Sequence, residues 1–362
     1  MKGDLAKKPS ILGLCNPLLD VSAYVDQELL DRYALKPNDV ILAEEKHKDL
    51  CKDLVKNYKV EYTAGGSAQN VMRVAAGIFR RQNYDCNVMF TGCIGQDEFG
   101  SLMRKKANED GVITNYAVSQ TEPTGTCAVC LTENGKNRSL CAFLGASQKF
   151  TDEHLKNNWK ELVEDTDIIY ISGFLMGVSP STFQLLGEHM ANCDNPKRKY
   201  CLNLSAPYVS LAFGEHLLKI MKYVDIVFGN DDEALAYAKL KGWETKDIVE
   251  IAQKIASDEK VRSTVGRIVV ITRGGDPIVL VERTHDGKLD VNQFPCESIP
   301  SSEMVDTNGA GDSFAGGFLS QYLQGAPLEH CVKVGDYAAR EIIKLSGIVV
   351  PDFSHLPELV KG

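Results

Sequence analysis

The sequence predicts an α/β fold of three layers, a central and mostly parallel sheet with helices on both faces, plus a small inserted β-rich lid. Three observations carry this. Short runs rich in Val and Ile recur along the 362 residues without polar alternation, as strands covered on both faces require. Amphipathic stretches alternate with these runs, the pattern that builds βαβ units. Two segments, Leu19 to Glu61 and Thr124 to Phe143, break that rhythm and carry strand-like patterns of their own.

Taken in order, the strand runs are Ile11 to Cys15, Asn87 to Ile94, Asp167 to Ser172, Tyr200 to Ser205, Asp225 to Phe228 and Arg267 to Thr272. Helical spacing fits Ser179 to Asn192, Phe213 to Tyr223, Asp231 to Lys241 and Ala310 to Gln324. Thr124 to Phe143 reads as a hairpin, with Asn134 and Gly135 supplying the turn chemistry. With the strand-like stretches of Leu19 to Glu61 it is expected to form a small antiparallel sheet, a lid that closes over a site and excludes water. The expected large domain is therefore 1–18, 65–122 and 144–362, and the lid 19–64 and 123–143. No repeat or long Gly/Ser linker divides the chain further.

Composition narrows the function. Forty Lys+Arg against forty-nine Asp+Glu give a net charge of -9, the opposite of a nucleic-acid footprint. The longest apolar stretch, Val265 to Val281, is broken by Arg267, Arg273 and Asp276, so no membrane span is expected. The five apolar residues Ile11 to Cys15 fall short of a secretory signal, which points to a reducing compartment. The eleven cysteines accordingly read as free thiols. Cys127 and Cys130 form a CxxC, but in a strand they point to opposite faces, and no second pair stands at zinc spacing.

The chemistry gathers in Asp306-Thr307-Asn308-Gly309-Ala310-Gly311-Asp312, which opens an amphipathic helix. The glycines expose backbone N–H groups, and the helix start adds partial positive charge, so the run can hold an anion. Asp312, in the first turn, can accept a proton from a hydroxyl that attacks a phosphoryl group. Taken alone, the run fits a capped helix after a tight turn equally well. A dinucleotide fingerprint needs glycine where Phe314 stands. A Walker A loop needs a lysine that Gly95 to Gly100 lacks.

Further motifs decide between these readings. They are Asn16-Pro17-Leu18-Leu19-Asp20, Ala64-Gly65-Gly66-Ser67-Ala68-Gln69-Asn70, Pro123-Thr124-Gly125-Thr126-Cys127, Asn203-Leu204-Ser205-Ala206-Pro207 and Phe228-Gly229-Asn230 through Glu233. Together with the Asp306 run they resemble the ribokinase-like carbohydrate and nucleoside kinase family over Ile11 to Ile348. The first and third look like its branch that phosphorylates adenosine rather than sugars.

The resemblance implies a ribokinase-like fold and ATP-dependent phosphorylation of the adenosine 5′-hydroxyl, giving AMP and ADP. It implies Asp312 as general base and Gly309, Ala310 and Gly311 as the anion hole. Asp20 and Asn70 would hold the ribose diol, with Gly65, Gly66 and Ser67 close to the sugar. Asn16, Leu18, Leu42, Cys127, Leu140, Phe174 and Tyr208 would form the base pocket. Ala68 and Tyr208 stand where other members commonly have Thr and Phe. For ATP, the resemblance implies Arg138, Asn230, Thr272, Arg273, Gly274, Gly275 and Asn308, with Glu233 acting on Mg²⁺ through water and a monovalent cation as a further candidate. It also implies a monomer in the cytoplasm, nuclear presence being compatible. The alternatives are a family kinase for another nucleoside or a sugar, and a noncatalytic nucleoside-binding protein.

Overall fold

The computed structural model describes residues 7–358 apart from 38, 134–136, 263 and 301. A nine-stranded sheet runs in the order β16 (Leu289–Phe294), β15 (Asp276–Arg283), β14 (Arg267–Arg273), β13 (Ile226–Asn230), β12 (Lys199–Asn203), β11 (Ile168–Ser172), β1 (Ser10–Leu14), β5 (Asn87–Thr91), β7 (Ile113–Thr114). From β14 to β7 all pairings are parallel, and β15 and β16 add an antiparallel edge. β1, β11 and β12 are buried at every position, because helices cover both faces. Two large apolar clusters lie on these two faces. One gathers around Leu12, Ile169 and Val269, the other around Ile11, Tyr170 and Val270. The expected helices appear as Pro180–Ala191, Gly214–Met221, Asp231–Leu240 and Ala310–Leu323.

A second sheet of five strands runs β3 (Val40–Leu42), β10 (Asn137–Phe143), β9 (Thr126–Thr132), β2 (Leu18–Tyr24), β4 (Glu61–Gly65). β9 and β10 form the expected hairpin. Its expected turn residues Asn134 and Gly135 lie outside the described residues. The sheet is mixed rather than antiparallel, since β2 pairs with β9 and β3 with β10 in parallel. Two short helices, Gln27–Arg32 and Leu50–Asn57, also interrupt the segment read as strand-like. Each contributes only a pair of buried leucines, Leu29 and Leu30 or Leu50 and Leu54, to cover this sheet. On β9 the Cys130 side chain packs on that helical side, and Cys127 on the other face.

The run Asn87 to Ile94 divides into β5 and β6 (Cys93–Gly95), which pairs with β8 (Ala117–Ser119) as a separate ribbon. Gly92 lies at the break, where a Cβ would stand 2.6 Å from the Cys15 carbonyl. Among the described residues, no helix is long and apolar enough to cross a membrane.

Candidate active site

The chain runs from β1 outward to β5 and β7, then resumes at β11 on the other side of β1. Carboxyl ends on either side of such a reversal diverge and leave a crevice. Here a cavity of about 350 Å³ opens at that crevice, lined by residues of both sheets and by the start of the Ala310–Leu323 helix. The size suits a small ligand.

Asp312 stands in this cavity. Its Oδ1 accepts from Ser67 Oγ at 2.7 Å and its Oδ2 from Asn70 Nδ2 at 3.0 Å. Burial pushes its pKa up to about 6, and the bonds from Asn70 and Ser67 pull the other way. Gly309, at φ +76°, precedes the helix. A Cβ there would lie 2.5 Å from Ile348 Cδ1. Among the described residues the N–H groups of Gly309 and Gly311 find no acceptor, whereas Ala310 N–H donates to the Thr307 carbonyl at 3.3 Å. First-turn amides are the donors a helix leaves for an anion. Of the expected trio, Gly309 and Gly311 have free amides and line the cavity, and Ala310 does not.

Gly66 fixes the approach of the helix Ser67–Arg81. Its φ is +102°, and a Cβ would come within 2.4 Å of the Asn16 carbonyl oxygen, so only glycine fits this close approach. The first turn of that helix then carries Ser67 and Asn70 to Asp312. Gly65 lies under Asp20, whose Oδ1 a Cβ would meet at 2.6 Å. Asp20 also lines the cavity. Burial raises its pKa to about 6, against the charges of Arg138 and Arg73.

The apolar wall consists of Leu18, Cys127, Leu140 and Phe174 together with Ile41 and Ala142. Asn16 stands behind it, buried, with Nδ2 donating to the Phe174 carbonyl at 3.2 Å. Tyr208 is half exposed, its ring 6.1 Å from that of Phe174, and it does not line the cavity. Leu42, expected in the base pocket, is 62% exposed and is not among the residues that line the cavity, although it pairs with Ala142 of the wall, whereas Ile41 pairs with Cys141 and packs toward the lid helices. Leu140→Ala and Phe174→Ala are each expected to raise the KM for the nucleoside several-fold, at about 0.8 kcal/mol per lost buried methylene. Steady-state kinetics of the two variants check this.

Asn230, Glu233, Thr272, Asn308 and Arg138 also line the cavity. Asn230 and Glu233 form a capping box, with Asn230 Nδ2 donating to Glu233 Oε1 at 3.0 Å and Asn230 N to Oε2 at 3.1 Å. Burial raises the Glu233 pKa to about 7. Arg138 on β10 pairs with Asp306 at 2.6 Å, both side chains buried. Asp306 in turn accepts from Asn308 N at 2.9 Å, which shapes the loop before Gly309. The remaining expected residues do not reach the cavity. Arg273 Nε donates to Asp231 Oδ1 at 3.1 Å. Gly274 and Gly275 form the turn between β14 and β15, with open space where their Cβ atoms would be.

Several residues that line the cavity had no assigned role in the sequence, among them Asn203, Ser205, Phe314 and Ile348. Asn203 and Ser205 belong to one of the motifs quoted above. Ser205 takes φ +68° so that its Oγ meets both Ser172 Oγ and Gly173 N.

The family model for pfkB family carbohydrate kinases matches residues 27–352. Adenosine kinase 1 of Arabidopsis thaliana is 42% identical over 344 residues, 94% of this chain and 96% of that protein. Adenosine kinase of Schizosaccharomyces pombe is 40% identical over 343 residues, again 94% and 96%. The crystal structure of Anopheles gambiae adenosine kinase in complex with a di(adenosine) tetraphosphate superposes with a TM-score of 0.82 at 42% identity, covering 96% of this chain and all of that one. Such agreement in sequence, fold and nearly full length leaves one conclusion: the chain belongs to the pfkB family of carbohydrate kinases.

Proposed function

We propose that the chain transfers the γ-phosphoryl group of ATP to the 5′-hydroxyl of adenosine, giving AMP and ADP. The observation that carries this reading is the Asp312 carboxylate, hydrogen-bonded by Ser67 and Asn70, beside the free amides of Gly309 and Gly311 in one cavity. The adenosine kinases at 40–42% identity support the choice of nucleoside. The 5′-oxygen attacks phosphorus in line as its proton passes to Asp312. The bond from phosphorus to the β–γ bridging oxygen breaks, and ADP leaves with that electron pair. The glycine amides stabilise charge on the transferring group, and positioning supplies most of the remainder.

Asp20 and Asn70, which both line the cavity, would take the ribose diol, a carboxylate and an amide together matching two hydroxyls. Phe174 offers a face for the purine, where stacking contributes about 1–3 kcal/mol. Arg138, held beside the anion loop through Asp306, would meet the phosphates.

A magnesium ion fits here in one way. Among the described residues, no three His, Cys, Asp or Glu side chains gather to hold a metal. Glu233 still presents a buried carboxylate to the cavity, and magnesium carried on phosphate oxygens and water needs only one or two. When bound, it neutralises charge on the phosphoryl oxygens. Glu233 would hold its water shell.

A coupled ADP-release assay over adenosine, inosine, ribose and fructose tests the reading. Turnover of adenosine far above the others is the expected result. Preference for a sugar, or no ADP with any acceptor, overturns it.

A further inference from the structure

Arg73 lies one turn after Asn70, on the helix Ser67–Arg81, and only 3% of it is exposed. Its guanidinium spends itself on four acceptors. Nε donates to Asp110 Oδ2 at 2.6 Å, Nη1 to the Ala64 carbonyl at 2.7 Å and to Asn70 Oδ1 at 3.3 Å, and Nη2 to the Ile348 carbonyl at 2.9 Å. A buried charge is costly unless paired and saturated in this way. Three of the four acceptors border the site. Ala64 precedes the Gly65-Gly66 turn, Asn70 donates to Asp312, and Ile348 packs where a Gly309 Cβ would point.

We propose that Arg73 is a positioning residue for phosphoryl transfer: it fixes the side-chain amide of Asn70 so that the NH₂ group, and not the oxygen, faces the Asp312 carboxylate. A guanidinium only donates, so the amide group facing it must be the acceptor, Oδ1. The other end of the planar amide is then the donor, and it points at Asp312. Flipping the amide would set two donors against each other at Arg73 and two acceptors against each other at Asp312. Without Arg73 the amide loses half of this constraint, and the base loses a reliable donor to its charged form.

The charged and titratable groups around Asp312 come from several elements. Asp20 comes from β2, Tyr170 from β11, Glu233 from the Asp231–Leu240 helix, and Cys15 follows β1. None of these donates a hydrogen bond to the carboxylate, whereas Ser67 and Asn70 do. Loss of the Asn70 donor therefore raises the pKa of Asp312, and the sign follows. The base is then protonated to a higher pH, so the acid limb of kcat/KM moves upward.

The inference rests on Asp312 being the base, and the test separates the two claims. In Arg73→Met, the acid limb of the kcat/KM profile is expected to rise by about one pH unit, the scale of a lost hydrogen bond to a carboxylate. Arg73→Lys keeps one donor and is expected to fall between this variant and the parent. In Asn70→Ala/Arg73→Met the limb is expected to coincide with that of Asn70→Ala alone, since Arg73 acts through Asn70. A merely structural role would lower stability without moving the limb. An unshifted limb in a folded Arg73 variant, or a further shift in the double variant, overturns the proposal. Should Arg73→Met fail to fold, Arg73→Lys carries the same comparisons with the same criteria. Near-normal kcat in Asp312→Asn would instead sink the assignment of the base itself.

Discussion

Asp312→Asn is expected to lower kcat at least about 10²-fold, the usual scale of a lost general base, while adenosine binding stays close to that of the parent. Asn cannot take the proton of the 5′-hydroxyl, but it keeps the shape of Asp. Its Oδ1 can accept from Asn70 Nδ2, and its NH₂ can donate to Ser67 Oγ once that hydroxyl rotates. The local network therefore survives, and the loss falls on the chemical step. Stability should move the other way. In the folded chain burial raises the Asp312 pKa from 3.8 to about 6. The folded state thus binds more protons than the unfolded one between these values, and stability falls as pH rises through that window. At pH 7 the full cost of the buried charge is present, on the order of 1–3 kcal/mol at 1.36 kcal/mol per unit. Asn removes it. The variant should melt above the parent at pH 7, and the difference should vanish below about pH 4. In the parent, the acid limb of kcat/KM should lie near pH 6. Turnover close to normal in Asp312→Asn would end the assignment. An unchanged melting temperature would mean that the carboxyl is not held in the unfavourable charged form.

Parallel strands were legible because both of their faces are covered. That leaves unbroken Val/Ile runs such as Ile168–Ser172 that need no knowledge of neighbours. Elements whose existence depends on a neighbour were not. The two-residue strand Ile113–Thr114 is too short to show any period, and it is a strand only because β5 lies beside it. The helices Gln27–Arg32 and Leu50–Asn57 each bury two leucines amid charges, too few to mark a face. The site divides along the same line. Gly66, Gly309 and Asp312 announce themselves, because positive φ and a helix-start carboxylate demand particular residues at particular spacing. Leu42 was expected in the base pocket and stands 62% exposed. A three-residue strand shows that its side chains alternate but not which of them faces the cavity, and only the register tells: Leu42 pairs with Ala142 of the wall, and Ile41 with Cys141 on the helical side. Arg73 left a signal that went unread, a single charge within the apolar run Val71 to Phe79. A charge in such a run is either a break in the face or a buried guanidinium with work to do, and only its four acceptors distinguish the two.

Gly309→Ala and Gly311→Ala are expected to fail in different ways, and the contrast tests whether the loop holds the transferring group. At Gly309 the backbone is left-handed, φ +76°, and a Cβ would stand 2.5 Å from Ile348 Cδ1 and 2.6 Å from Cγ1. Alanine there costs about 1–2 kcal/mol for the left-handed conformation alone, and Ile348 must also move. Ile348 is anchored by its carbonyl to Arg73, so the movement reaches Asn70 and Asp312. Gly309→Ala should therefore lose both stability and turnover. Gly311 has ordinary helical backbone and open space within 4 Å of a Cβ. Alanine there is a better helix former by about 1 kcal/mol, so the fold should be as stable as the parent or more so. Its methyl, however, enters the space in front of the free amide, where the phosphoryl oxygens must come. Kinetically it should resemble the loss of a preorganised donor, about 10²–10³ in kcat. Thermal melts and steady-state rates of the two variants suffice. A Gly311→Ala enzyme with parental kcat would remove this amide from the path of the phosphoryl group. One that is slow and stable places the anion at the helix start.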